Sequence, residues 1–546
     1  MHRPSPFEVS MSALSCRKTT LRLALCLSMS VLAGTLAIPS SAGAQVTAFT
    51  RSVAEAAGGN DMISAYYRER GYRTLWTGPE DGERRAALFS AIDAAAAHGL
   101  PVQRYDAAAL MARFRAARTE SDRGRLEVAM TRALIAWAHD LHSGALKPSA
   151  VDPGIKRDVA LLDPRSVLTA FEADPVRFLN GLAPRDPEYA RLMRAKLMLE
   201  AQIARGGWGA QVPAAALKPG ASGAAFLALR DRLAAMGYLG RSMTPVYDET
   251  VKAALRAFQL DHGLAPDGVA GESTIVALNV EPEERLRSVL VAMERERWLN
   301  IDRGERHIWV NLTEFTARVV EAGKVTFETR SVIGKNAADQ RSPEFSDQME
   351  YMVINPSWNV PRSITTKEYL PLLQRNPNAA GHLKLIDSRG RVVNRGSVNF
   401  NAYNARNFPF SMRQPPSDGN ALGLVKFMFP NPWNIYLHDT PSKSLFDREV
   451  RAFSHGCIRL GQPFDFAHAL LAKQSDDPEG LVQSHLKTGK ESVIRLEKPV
   501  PVHLVYFTAW AGPTGRMNYR PDIYGRDALI FDALTEAGVV PGAVQG

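Results

Sequence analysis

The chain has 546 residues, 45% of them hydrophobic and 23% charged, which is the balance of a folded globular protein and excludes a disordered, collagen-like or membrane-bundle chain. A chain of this length outgrows one ordinary core and implies about three or four domains. The net charge of +9 comes without any Lys/Arg run interleaved with aromatics, so it suits an anionic wall or membrane surface and gives no sign of a nucleic-acid groove.

At the N-terminus, Arg17, Lys18 and Arg22 precede an apolar run from Leu23 to Ile38, and Ala42-Gly43-Ala44 follows. Basic, apolar and small residues in that order predict a secretory signal peptide over residues 1 to 44, with an apolar run short for a bilayer span. Residues 1 to 10 add nothing to this signal, so Met11 serves equally well as its start. The segment carries Arg3, Arg17, Lys18 and Arg22 against Glu8, which leaves +6 of the +9 on the mature chain. The expectation is export to the periplasm, with the membrane met only through the transient signal.

Cysteine usage sharpens this. Cys16 and Cys26 fall in the signal, and the mature chain keeps Cys457 alone. An exported protein normally pairs its thiols or loses them, and a lone thiol makes neither an internal disulfide nor a cysteine-rich zinc site.

Residues 45 to 211 read as a helical scaffold domain, with apolar positions recurring at three and four in Glu83 to His98 and Arg125 to His142. His139 and His142 sit one helical turn apart, but no third ligand shares their face, so no metal is assigned. Residues 212 to 282 read as a three-helix unit. Phe226, Leu229, Leu233 and Met236 form a stripe ended by Gly237; Asp248 caps a helix carrying Val251, Leu255 and Phe258; Ser273 or Thr274 caps the last. Leu229, Leu233, Gly237, Val251 to Leu264, Asp267-Gly268, Gly271 and Thr274 to Asn279 together resemble the peptidoglycan-binding domain type 1 family.

Residues 283 to 300 form a charged helix expected to pack back on the scaffold. From 301 to 510 the texture turns strand-like, as in His307 to Leu312, Phe315 to Val320 and Val325 to Val332, so the whole is a multi-domain α+β protein. Inside this unit, residues 362 to 422 are irregular and rich in Pro, Asn, Gly and Arg, which reads as a functional lid or a disordered loop. Residues 511 to 546 form a C-terminal segment.

The chemistry concentrates near residue 450. Ile435-Tyr436-Leu437-His438-Asp439 reads as a strand ending at His438, and Ser454-His455-Gly456-Cys457-Ile458-Arg459 follows after fifteen residues. A thiol attacks as thiolate, a nearby imidazole can take its proton, and amides around Gly456 can donate to an oxyanion. This stretch resembles the L,D-transpeptidase catalytic domain, whose pattern is a His, a gap of this length, and Ser/Thr-His-Gly-Cys. Gly423 to Phe427, Asn355-Pro356 and Trp358 to Pro361 look like further family segments, and the domain order is similar to the large periplasmic branch.

The resemblance implies Cys457 as acylated nucleophile, His438 as base, the Asp439 carbonyl orienting that imidazole, and His455, Gly456 and the Cys457 amide lining the oxyanion region. Arg459, Ser454, Trp358 and Tyr436 are the candidate substrate-binding residues. The implied reaction attacks the diaminopimelate carbonyl of a donor tetrapeptide stem, releases D-Ala and forms a 3→3 cross-link, without metal or organic cofactor, and carbapenems should acylate Cys457. Its partners are peptidoglycan stem peptides, with other cell-wall synthesis proteins as candidates.

Other readings of the same thiol remain open: lipoprotein attachment, D-amino-acid exchange, link hydrolysis, or a non-catalytic wall-binding scaffold. A serine transpeptidase is set aside because Ser484 to Lys487 and Lys487-Thr488-Gly489 share one lysine. A papain-like peptidase would place Cys before His, and a sortase would lack His-Gly-Cys.

Overall fold

The computed structural model describes residues 47–512 and 515–540, so the expected signal peptide, with Cys16 and Cys26, lies outside the described residues. Among the described residues, no helix is long and apolar enough to cross a membrane.

The N-terminal helices gather around Glu120–Ser143, a helix started by a capping box in which Thr119 and Asp122 satisfy each other's backbone amides. Its buried Leu134, Trp137 and Leu141 share one apolar cluster with Trp76, Phe171 and Leu192. Helix Pro282–Trp298 lies along Pro187–Ala204 and adds Leu286, Val289, Leu290 and Met293 to that cluster. The chain beyond 510 is no detached tail: Tyr519, Ile530, Leu534 and Val539 are buried in the same core.

The three-helix unit comprises Ala224–Ala235, Glu249–Asp261 and Glu272–Leu278, closed on its own cluster of Phe226, Leu229, Leu255, Phe258 and Ile275. Asp248 caps the second helix by accepting from the Val251 amide. The third begins one or two residues before the expected Ser273 or Thr274: Gly271 is its N-cap, and Thr274 is buried instead with its hydroxyl beside Gln259.

The C-terminal half is built on a nine-stranded sheet. In spatial order its strands are Ala452–Ser454, Lys324–Gly334, Ile458–Leu460, Leu437–His438, Val425–Met428, Phe345–Ile354, Ser492–Val505, Arg306–Asn311 and Thr316–Glu321. Thr316–Glu321 also pairs with Lys324–Gly334, which closes the sheet on itself. Alternation then sends Ile308, Val310, Val425, Phe427, Leu437, Ile458 and Leu460 inward, where helix Pro463–Leu471 covers them with Phe466, Ala467 and Leu470.

The segment 362 to 422 departs from its irregular reading. Strands Trp358–Asn359, Ser411–Gln414, Lys384–Ile386 and Val392–Val393 form a second sheet in that order, over a core of Leu370, Leu373, Leu385, Phe400, Phe408 and Met412. Its helix runs from Arg362 to Arg375 through a π-helical turn at Thr365–Tyr369. Pro, Asn and Gly occur so often there because the connections between such short elements are tight, and the insertion is a folded subdomain.

Candidate active site

Register assembles the site. Leu437–His438 pairs in parallel with Ile458–Leu460, setting His438 beside Arg459, and antiparallel with Val425–Met428, setting His438 beside Lys426. Laterally paired residues share a face, so Lys426, His438 and Arg459 line up on the face opposite Phe427, Leu437 and Ile458. Two residues earlier on each parallel strand, the same face carries Tyr436 and Cys457, joined by the Ile458 amide donating to the Tyr436 carbonyl at 3.1 Å. Cys457 thus sits at the entry to the strand that pairs with that of His438.

The imidazole is held by the backbone of Asp439 and of Leu422. His438 is buried, and its Nδ1 lies 2.5 Å from the Asp439 carbonyl oxygen, so Nδ1–H donates there and Nε2 keeps its lone pair. Burial, with Arg459 and Lys426 nearby, pushes the pKa of His438 down to about 3, so the ring is neutral. The Asp439 side chain braces its own backbone: its carboxylate accepts from the Leu424 amide at 2.9 Å and the Thr440 amide at 2.7 Å, and pairs with Lys443 at 2.6 Å. Gly423, at φ +62°, passes so close to this carboxylate that a side chain there would overlap it.

The thiol is half-buried, and its Sγ donates toward the Asn434 carbonyl at 3.5 Å. Burial pushes its pKa up, opposed by hydrogen bonds from the Tyr436 amide and phenol and by the charges of Lys426 and Arg459. The Tyr436 phenol is itself held well above its usual range, chiefly by burial, so it stays a donor. Lys426 Nζ sits 3.8 Å from the Tyr436 ring centroid. Tyr436, read from sequence as a substrate contact, therefore lies against the nucleophile candidate.

Other assignments shift within the loop. Ser454 is buried; its hydroxyl donates to the Cys457 carbonyl at 2.6 Å and accepts from the Gly456 amide at 3.1 Å. This makes Ser454 a brace of the loop, and its hydroxyl occupies the Gly456 amide. Gly456 adopts φ +114°, a conformation that a side chain would strain, and its carbonyl accepts from Ser342 Oγ at 2.6 Å. His455 points outward and its Nε2 meets Glu368 Oε1 of the inserted subdomain at 2.6 Å. Trp358 packs on the insertion's core beside Tyr369 and belongs to that subdomain's own structure.

Arg459 stands without an anion. Its Nε is buried with no partner, no carboxylate pairs with it among the described residues, and burial lowers its pKa. Sequence reasoning singled out neither Lys426 nor Asn434, whose backbone at φ +55° turns its carbonyl to the thiol. The Lys426 position could have been found from strand alternation, since Val425 and Phe427 flank it as core residues. Chemically, the arrangement offers a thiol, a neutral base fixed by its far nitrogen, and two cations over the same face, which is equipment for acyl transfer.

Three family models match parts of the chain. Residues 61–195 match the Scaffold domain model, residues 222–278 the model described as "Putative peptidoglycan binding domain", and residues 305–483 the L,D-transpeptidase catalytic domain model. A Haemophilus influenzae protein named "Putative L,D-transpeptidase" is 32% identical over 242 residues, which are 44% of this chain and 48% of that relative. The match thus spans about half the length of the curated relative. A crystal structure of the L,D-transpeptidase from Xylanimonas cellulosilytica aligns at 14% identity over 54% of this chain and 98% of that chain, with a TM-score of 0.16, too low to carry any argument.

Proposed function

We propose, for a chain whose residues 305–483 are an L,D-transpeptidase catalytic domain carried with a scaffold domain and a peptidoglycan-binding domain, that Cys457 is the nucleophile of a 3→3 cross-linking reaction outside the cytoplasmic membrane. His438 Nε2 takes the thiol proton while Nδ1 stays bonded to the Asp439 carbonyl. The sulfur attacks the carbonyl of the third residue, diaminopimelate, in a donor tetrapeptide. The Cys457 amide donates to the oxyanion, and the proton on His438 leaves with the amine of terminal D-Ala. A primary amine of a second stem then resolves the thioester.

One observation carries this reading: Cys457 immediately precedes the strand that pairs in parallel with that of His438, and Lys426 and Arg459 oppose the rise that burial imposes on the thiol's pKa. Arg459, half-buried and without a carboxylate partner among the described residues, is suited to hold a carboxylate of the donor stem. The folded subdomain over residues 362 to 422 is suited to keep water from the acyl-enzyme.

The test is mass spectrometry of a purified disaccharide-tetrapeptide incubated with the protein, wild type beside Cys457→Ala. A dimer linked between two diaminopimelates, formed only with the thiol, supports the proposal. Tripeptide without dimer would redirect it to hydrolysis or to another acceptor.

A further inference from the structure

Among the described residues, Asp339, Asp439, Glu491 and Glu368 lie about the site, and each has a partner. Asp339 pairs with Lys367 at 2.5 Å, Asp439 with Lys443 and two amides, and Glu491 accepts from the Ser357 amide at 2.5 Å. The fourth, Glu368, has neither lysine nor arginine among its partners; its contact is His455 Nε2, two residues before Cys457. A π-helical turn at Thr365–Tyr369 presents it: Thr365 and Thr366 are buried while Lys367 and Glu368 are exposed on the outer side. Such turns widen a helix at an energetic cost and recur at functional sites. The exposed Lys367–Asp339 pair reaches from the same turn to the catalytic unit, on the side where Glu368 meets His455.

We propose that Glu368 is the acceptor-side catalytic residue, binding the ammonium group of the incoming stem and removing its first proton. This inference rests on the transpeptidase reading above. A primary amine arrives protonated at neutral pH and cannot attack a thioester in that form. Lys426 and Arg459 over the thiol face would repel it, and a carboxylate at the mouth of the site, bonded to the His455 imidazole and to no lysine or arginine among the described residues, would attract it and take its proton.

The step balances as follows. The acceptor ammonium gives one proton to Glu368, and the neutral amine adds to the thioester carbonyl. The nitrogen of the tetrahedral intermediate gives its second proton to His438 Nε2. The C–S bond breaks, the amide forms, and His438 returns that proton to the Cys457 thiolate. Glu368, which is exposed, releases its proton to water.

The experiment compares wild type, Glu368→Gln and Lys367→Ala as full chains, with disaccharide-tetrapeptide as donor and acceptor. It reads the ratio of dimer to hydrolysed tripeptide per D-Ala released, at neutral pH. A parallel reaction replaces the acceptor stem by hydroxylamine, a nucleophile uncharged at that pH, and reads hydroxamate against tripeptide. Glu368→Gln should lower the dimer ratio by roughly tenfold or more, leave the hydroxamate ratio unchanged, and recover dimer at alkaline pH where the acceptor amine deprotonates in solution. If Glu368→Gln and Lys367→Ala lower both ratios alike, Glu368 only closes the subdomain and the proposal falls. An unchanged dimer ratio in Glu368→Gln overturns it equally. A wild-type chain that releases no D-Ala overturns the transpeptidase reading, and this inference with it.

Discussion

No room exists for a β-carbon at Gly423, because the Asp439 carboxyl group occupies that space. The same carboxyl group braces the peptide whose carbonyl holds His438, so a glycine fifteen residues upstream bears on the orientation of the proposed base.

Gly423→Ala should therefore displace Asp439, swing the imidazole and slow acylation of Cys457 by about a hundredfold, the usual scale for misplacing a reacting group by an ångström. The measurement is the rate of carbapenem adduct formation by mass spectrometry, beside a melting curve showing that the fold persists. A wild-type rate would show that the Asp439 carboxylate is dispensable.

Much of this site was legible because chemistry-bearing residues cluster in sequence: His438, and Ser454 through Arg459, lie on or beside two short strands. Their orientation was less legible. Ser454 and Tyr436 read as substrate contacts, but the Ser454 hydroxyl bonds its own loop, and the Tyr436 phenol, just before the parallel ladder, meets the thiol that precedes the neighbouring strand. Lys426 was hidden because only the register of Val425–Met428 shows which face it takes. Glu368 was hidden further, in a segment whose Pro, Asn and Gly content masks a folded core. Helix caps show the same limit: Asp248 announces itself, whereas Gly271 caps with backbone alone and leaves Ser273 and Thr274 as decoys.

The pH dependence has a definite sign. His438 is depressed from 6.5 to about 3, chiefly by burial, and loses its lone pair only as pH falls through that lower value. Burial holds Cys457 above its ordinary value of 9.0. Neutral base and protonated thiol thus coexist across the intervening range, and acylation by a carbapenem should be flat between about pH 5 and 8. A rate that climbs with a midpoint near an ordinary histidine value would show that the ring is solvated and titrates normally.

Arg459 should separate stability from binding. Its guanidinium is desolvated with no carboxylate partner among the described residues, so Arg459→Gln should leave the melting temperature unchanged or raise it. The same change removes a charged hydrogen bond to the donor, worth about 1.5–3 kcal/mol, so KM for the tetrapeptide should rise roughly ten- to a hundredfold. A fall in stability with unchanged KM would make Arg459 a structural residue.

The last relationship runs from the C-terminal helix to the nucleophile loop. Arg526 is almost wholly buried, pairs with Glu344 at 3.2 Å and donates to the Ser342 carbonyl at 3.0 Å; Ser342 Oγ in turn donates to the Gly456 carbonyl at 2.6 Å. Glu344 is shared with Arg295 of helix Pro282–Trp298, and Arg295 reaches Asp527 at 2.9 Å. Removing one member of a buried ion network leaves uncompensated charge and costs about 3–5 kcal/mol. Arg526→Ala should lower the melting temperature sharply and slow Cys457 acylation as well, because the Ser342 strut moves with it. Ser342→Ala cuts the strut, together with the bond its hydroxyl accepts from the Gly334 amide at 3.0 Å, but leaves the ion network whole, so it should slow acylation with a smaller loss of stability. Equal acylation rates for wild type and Ser342→Ala would show that the loop holds its shape through Ser454 alone.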